Sequence, residues 1–186
     1  NNLNKNSDNA IWLYHTLIVI VLYNIRLEES ITFQSINKAL DLSNLCKKID
    51  LLIYNNSKIS TDSIDNIKST TNLNIYYLHN PLNPGVSKAY NEGAELAKFL
   101  DKKFLFILDQ DTILPINFPS SYQSSVTLFP NYPLYAPQVY SGNLLFSPGR
   151  YIFRKGSNFS SINPGKHKLL YKNVLNSGLL VDLDAF

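Results

Sequence analysis

The stretch FLFILDQDT, residues 104–112, ends an unbroken apolar run with two carboxylates, Asp109 and Asp111. In extended backbone, residues i and i+2 face the same way, so both side chains can reach one site. Two anions held this close repel each other, and a cation offsets that repulsion. An all-oxygen donor pair suits Mg²⁺ or Mn²⁺ carrying a phosphate group. The local alternative is that Asp111 and Thr112 simply cap a turn or a following helix.

For the pair to serve a site, residues 104–108 must be a strand that delivers it to a sheet edge. The chain supplies the context in alternation. Leu17 to Leu22 sits in the apolar stretch of residues 10–25 and is β-branched and brief, as in a strand covered on both faces. Glu28 to Leu40 places Ile31, Phe33, Ile36 and Leu40 near helical spacing, with two glutamates suited to the positive end. Asp50 to Tyr54 is a second strand, Thr61 to Ser69 a weak short helix and Asn74 to Leu78 a third strand. Val86 to Leu100 is the strongest helix, with Val86, Ala89, Tyr90, Gly93, Ala97 and Leu100 on one face. Such alternation predicts βαβ units and a mostly parallel central sheet with right-handed crossovers. Open parallel sheets bind ligands at the carboxyl ends of their strands, where Asp109 and Asp111 fall.

After Thr112 six prolines, from Pro115 to Pro148, break up the chain. A helix is expected around Ser120 to Leu128, a hairpin of NLLF and YIFRK over Asn143 to Lys155, and a last strand over Leu179 to Leu183. The aromatic residues of that hairpin suit either a core or a surface that stacks on sugars.

Composition excludes several classes. The chain has 186 residues and a net charge of +3, with scattered lysines, which gives no basis for nucleic-acid binding. The single cysteine, Cys46, excludes an internal disulfide and a cysteine zinc cage, and reads as a small buried hydrophobe. Residues 10–25 are too short, and too interrupted by His15 and Asn24, for a transmembrane span. His15, His79 and His167 have no ligand spacing to the aspartates, although His79 ends a strand near the expected pocket. No Walker motif or GxGxxG occurs, against an NTPase or dehydrogenase.

Five pieces in order, IVIVLYN (18–24), LLIYNNS (51–57), NPGVSKAYNEG (83–93), FLFILDQDT (104–112) and NSGLLVDLDAF (176–186), resemble the family 2 glycosyltransferases of GT-A fold, in their rhamnosyltransferase-like branch. The resemblance implies an α/β nucleotide-diphospho-sugar transferase fold over 1–186 as one domain, with 1–112 the nucleotide-binding half and 113–186 the start of the acceptor side. It implies that Leu22 and Tyr23 pack on the nucleotide base. Asn55 stands where the family usually has an aspartate that accepts from the base; its carbonyl oxygen can still accept. Gly85 would permit a tight turn, and Lys88 and Asn91 would face the nucleotide or its phosphates, although Lys88 also reads as an ordinary surface lysine. Asp109 would meet the ribose or the metal, and Asp111 the metal on the diphosphate. Asn176, Ser177 and Gly178 would line the donor-sugar and acceptor pocket.

The implied reaction moves a sugar, with rhamnose suggested by the branch, from a nucleoside-diphosphate sugar to a glycan or lipid-linked glycan acceptor, with inversion and with Mg²⁺ or Mn²⁺. The implied setting is bacterial polysaccharide synthesis in the cytoplasm, peripheral at the inner face of the membrane. The family's base lies downstream of the NSG segment, and members run on well beyond Phe186. The expectation is therefore a fold without its C-terminal part and with no assigned catalytic base. Asp182 and Asp184 fall in the final strand and its exit. Two alternatives stand beside this one. A sugar nucleotidyltransferase would want a glycine-rich loop after the first strand, which LYNIRLEES lacks. A non-catalytic module would bind nucleotide-sugar, or a protein partner, without turnover.

Overall fold

The computed structural model describes residues 10–43, 45–60, 72–152, 155–168, 170 and 172–186. A one-turn helix α1 (Ile11–Tyr14) leads into β1 (Thr16–Leu22), every residue of which is buried. A 3₁₀ turn at Leu27–Glu29 precedes α2 (Ile31–Asp41), and Ser30 caps the helix by accepting from the Phe33 N–H at 3.3 Å. The helix therefore starts later than its glutamates suggest. Glu29 instead turns back to accept from the Arg26 N–H at 2.9 Å. β2 (Ile49–Asn55) and β3 (Leu73–His79) follow, then α3 (Val86–Phe99), β4 (Phe104–Asp109) and α4 (Phe118–Leu128). The short helix expected at Thr61 to Ser69 lies outside the described residues.

Strands β5 (Leu134–Tyr135), β6 (Val139–Ser141), β7 (Leu144–Ser147), β8 (Gly149–Ile152), β9 (Lys155–Asn158), β10 (Lys172–Asn173) and β11 (Leu179–Asp182) complete the order, with a closing 3₁₀ turn at Leu183–Ala185. The main sheet runs β3-β2-β1-β4-β11-β5. Its first four strands are mutually parallel, and β11 is antiparallel to both neighbours. Segments on either side of Thr112 thus share one mostly parallel α/β sheet.

Alternation along the strands divides the core in two. Ile18, Ile20, Leu51, Ile53, Phe106 and Leu108 face α1, α2 and α4 through Trp12, Phe33, Ile36 and Phe118. Leu17, Val19, Leu52, Leu105 and Ile107 face α3 through Ala89, Tyr90, Ala94 and Ala97. Each fully buried Leu, Ile or Phe contributes roughly 1.5–3 kcal/mol of transfer free energy. The small residues of α3 let it approach closely: a Cβ on Gly93 would lie 2.7 Å from Val19 Cγ2. Trp12 anchors α1 to α4 by donating from Nε1 to the Pro119 carbonyl at 2.7 Å and stacking on Tyr122 at 5.2 Å.

Two expectations fail here, and one open reading is decided. NLLF and YIFRK do not pair as one hairpin: β7 pairs with β6, and β8 pairs with β9 and β10. Only Pro148 separates β7 from β8, fewer residues than the two of a tight hairpin loop, so the chain does not fold back between them. The aromatic residues there are not core: Tyr140, Phe146 and Tyr151 are at least half exposed. Cys46 is exposed rather than buried. Among the described residues no helix is long and apolar enough to cross a membrane.

Candidate functional site

The parallel register lines up the carboxyl ends of four strands. His79 pairs with Asn55, Asn55 with Leu22, and Val21 with Asp109. β11 enters beside β4 from the opposite direction, and the Gly178 N–H donates to the Ile107 carbonyl at 2.9 Å. This brings Asn176, Ser177 and Gly178 against the end of β4. The Asp109 N–H donates to Ser177 Oγ at 3.3 Å, and the hydroxyls of Thr112 and Ser177 are in contact.

The turn carrying the carboxylates is held from below by α2. Thr32 Oγ1 donates to the Asp109 carbonyl at 2.5 Å and accepts from the Thr112 N–H at 2.7 Å. Ser30 Oγ donates to the Gln110 carbonyl at 2.8 Å. β4 ends at Asp109, and Gln110 and Asp111 form a turn rather than the extended backbone expected; there Gln110 Oε1 accepts from the Tyr23 N–H at 2.7 Å. The Asp109–Asp111 turn and the exit of β1 are thus one tied unit. Reading for acidic chemistry passes over Gln110, whose only signal is its place between two aspartates.

Burial, and secondarily the Asp111 charge, raises the Asp109 carboxyl above its ordinary value, while the Tyr90 hydroxyl beside it pulls the other way. Asp111 itself is exposed. Tyr90, on the first turns of α3, is pushed up to about 12 by burial and by Asp109. Its hydroxyl lies near Asp109 and Asn176, yet neither completes a well-formed hydrogen bond, and the oxygen is a buried polar atom without a partner. A buried hydroxyl without a well-formed hydrogen bond is costly, and this one stands beside Asp109 and Asn176. A tyrosine among the small buried residues Ala89, Gly93, Ala94 and Ala97 is the faint signal the sequence offered for it.

The remaining residues read from the sequence divide. Leu22 is fully buried at the end of β1, and Tyr23 beside it is half exposed. Asn55 is buried and closes an Asx turn, its Oδ1 accepting from the Ser57 N–H at 2.8 Å while Nδ2 donates to the Tyr77 hydroxyl at 2.9 Å. Lys88 pairs with Glu92 at 2.7 Å on the exposed side of α3, and Asn91 is exposed on the same helix. Of the NPGVSKAYNEG segment, it is Tyr90 that sits beside Asp109. His79 donates from Nε2 to the Ser57 carbonyl at 2.7 Å and so clamps the loop after β2. Asp182 pairs with Phe104 at the opposite end of β4, roughly 16 Å of strand from Asp109. Neither it nor Asp184, whose N–H it accepts at 3.0 Å, belongs to the site.

The donor chemistry here fits a divalent cation of the Mg²⁺ or Mn²⁺ kind: two carboxylates, one of them raised by burial and then by the other's charge, beside hydroxyl and amide groups. Among the described residues no three His, Cys, Asp or Glu side chains converge into a closed metal site. A cation held by this pair would complete its shell with ligand oxygens or water, as Mg²⁺ commonly does with phosphates.

No family model and no curated protein matches the chain. Among solved structures, that of S. aureus TarS 1-349, a glycosyltransferase, is similar over 90% of this chain and 47% of that one, with a TM-score of 0.53 and 12% identity. At that identity the likeness concerns the fold alone. The chain spans about half the length of that structure.

Proposed function

We propose that this chain is the donor-binding part of a glycosyltransferase, binding a nucleoside-diphosphate sugar at the carboxyl ends of β1, β2 and β4. The observation that carries the reading is the juxtaposition of Asp109 and Asp111 with the NSG segment and the orphan Tyr90 hydroxyl. In this reading Tyr23 packs against the base, with Leu22 buried in the core beneath it rather than facing the ligand and Asn55 holding the loop beside it. Asp109 and Asp111 hold Mg²⁺ or Mn²⁺, with Lys88 and Asn91 available to the phosphates from α3. Asn176, Ser177 and Gly178 line the donor-sugar side. When bound, such a cation supplies Lewis-acid stabilisation of the departing diphosphate.

The transfer is to a hydroxyl of a glycan or lipid-linked glycan, with inversion, in the manner of the family 2 rhamnosyltransferase-like enzymes. Residues 1–112 serve as the nucleotide half and 113–186 open the acceptor side of one domain. The proposed setting is the cytoplasmic face of a membrane, in polysaccharide synthesis. One observation favours a second reading, a module that binds donor without turnover. Among the described residues no third carboxylate stands at the site to take the acceptor's proton, and Asp182 lies at the far edge.

Incubating the chain with UDP-, dTDP- and GDP-sugars, Mn²⁺ and glycan acceptors, and following release of nucleoside diphosphate, separates the two. Acceptor-dependent release supports transfer. Tight donor binding with no release supports the module, and absence of donor binding by the folded chain overturns both.

A further inference from the structure

A cavity of about 460 Å³ lies between the C-terminal end of α4, the segment entering β5, and the chain around Ile162 to Val174. None of the residues assigned to the donor site lines it. Its volume is in the range of small-molecule sites. Leu128, Phe129, Tyr132, Tyr135, Ile162 and Val174 give it an apolar, largely aromatic wall, and Tyr135 spends its hydroxyl on the Phe129 carbonyl at 2.6 Å.

The polar lining comprises the neutral Ser124, Ser125, Gln138 and His167, and its charged groups are two lysines, Lys166 and Lys172. Lys166 Nζ sits over the Phe129 and Tyr132 rings, 5.4 and 5.1 Å from their centroids. His167 Nε2 contacts the Asn163 carbonyl at 2.8 Å, and a carbonyl only accepts, so Nε2 carries the proton. Its Nδ1 then offers a lone pair, to which Lys172 Nζ donates at 3.4 Å. No carboxylate lines the cavity, and among the described residues neither lysine pairs with one. Two ammonium groups beside an apolar hollow, without counter-charge, are complementary to an anion with an apolar body.

We propose that this cavity binds an amphiphilic anion, an apolar chain carrying a phosphate or carboxylate head, with the chain against the aromatic wall and the head on Lys166 and Lys172. The site does not depend on the donor reading, but it adjoins that site's edge. Ala136 and Gln138 of the cavity flank Pro137, against which Gly178 packs so closely that a Cβ there would lie 2.7 Å from Pro137 Cγ. The bound anion therefore lies one packing layer from the NSG segment.

Calorimetric titration with decyl phosphate and with decanoate, each below its micelle concentration, tests the proposal, with inorganic phosphate and decanol as controls. Saturable binding of one or both amphiphiles is expected, at least tenfold tighter than either control, and the tighter of the two identifies the head group. Lys166→Gln combined with Lys172→Gln should weaken binding at least tenfold and leave nucleotide binding unchanged. Ser125→Trp, which projects a ring from α4 into the cavity, should abolish it. Three results would each overturn the assignment: no binding by a chain shown folded by circular dichroism, decanol binding as tightly as the anions, or lysine variants that bind as the parent does.

Discussion

At the scale of single residues, the site holds groups that the fold alone does not favour. Asp109 has its carboxyl raised by burial and by Asp111. The sign for stability follows. A carboxyl raised above its ordinary value binds its proton more readily folded than unfolded, so stability falls as pH rises through that range. Asp109→Asn removes the penalty. It should raise Tm at pH 7, with the gain shrinking as pH falls below the raised value, and scanning calorimetry across pH checks this. Tyr90→Phe deletes a buried hydroxyl without a partner, and should stabilise the free protein by about 1 kcal/mol in urea denaturation. The acidic pair was legible because its residue types name their chemistry. Tyr90 and Gln110 were not, because their significance comes from neighbours contributed by β4, β1 and the NSG segment.

At the scale of elements, strands and long helices could be read because burial on two faces or one imposes a period that survives in the sequence. β1, β2, β3, β4 and α3 fall within a residue or two of expectation. α1 was not legible, since four residues carry no period, and its place is set by Trp12 packing on α4. The β7–β8 segment misled because two apolar runs around SPGR look like partners, whereas partner choice is a long-range matter. The close approach of α3 offers a sharp test. Gly93→Ala gains about 1 kcal/mol of helix propensity but forces a methyl onto the stiff Val19 side chain, where overpacking costs roughly 1–3 kcal/mol. A net loss of about 1 kcal/mol is expected in chemical denaturation.

At the scale of the whole molecule, the two edges of the sheet differ in kind. The amino edge is closed: Lys102 Nζ meets Asp50 at 2.6 Å and the Tyr14 carbonyl at 2.9 Å, with both ionic side chains nearly buried. Asn74 also donates to that carboxylate, at 3.1 Å. Lys102→Ala leaves Asp50 without its cation and should cost about 3 kcal/mol of stability. Nucleotide binding, at the other edge, should be unchanged below the melting transition. The carboxyl edge instead carries the exposed Asp111, the raised Asp109 and the orphan Tyr90 hydroxyl. Under the proposed function, stability and ligand binding would therefore occupy opposite ends of the same strands.

The most direct test of that account is calorimetric titration of the chain with UDP, dTDP and GDP, each with and without Mn²⁺, in parallel with Asp111→Ala. Asp111 is exposed, so its replacement should leave the fold intact and the stability within about 0.5 kcal/mol of the parent. The account predicts that one nucleotide binds only when Mn²⁺ is present, and that Asp111→Ala loses this binding while keeping its far-UV circular dichroism. Folded parent protein that binds none of the three, or binding that Asp111→Ala leaves intact, would contradict it.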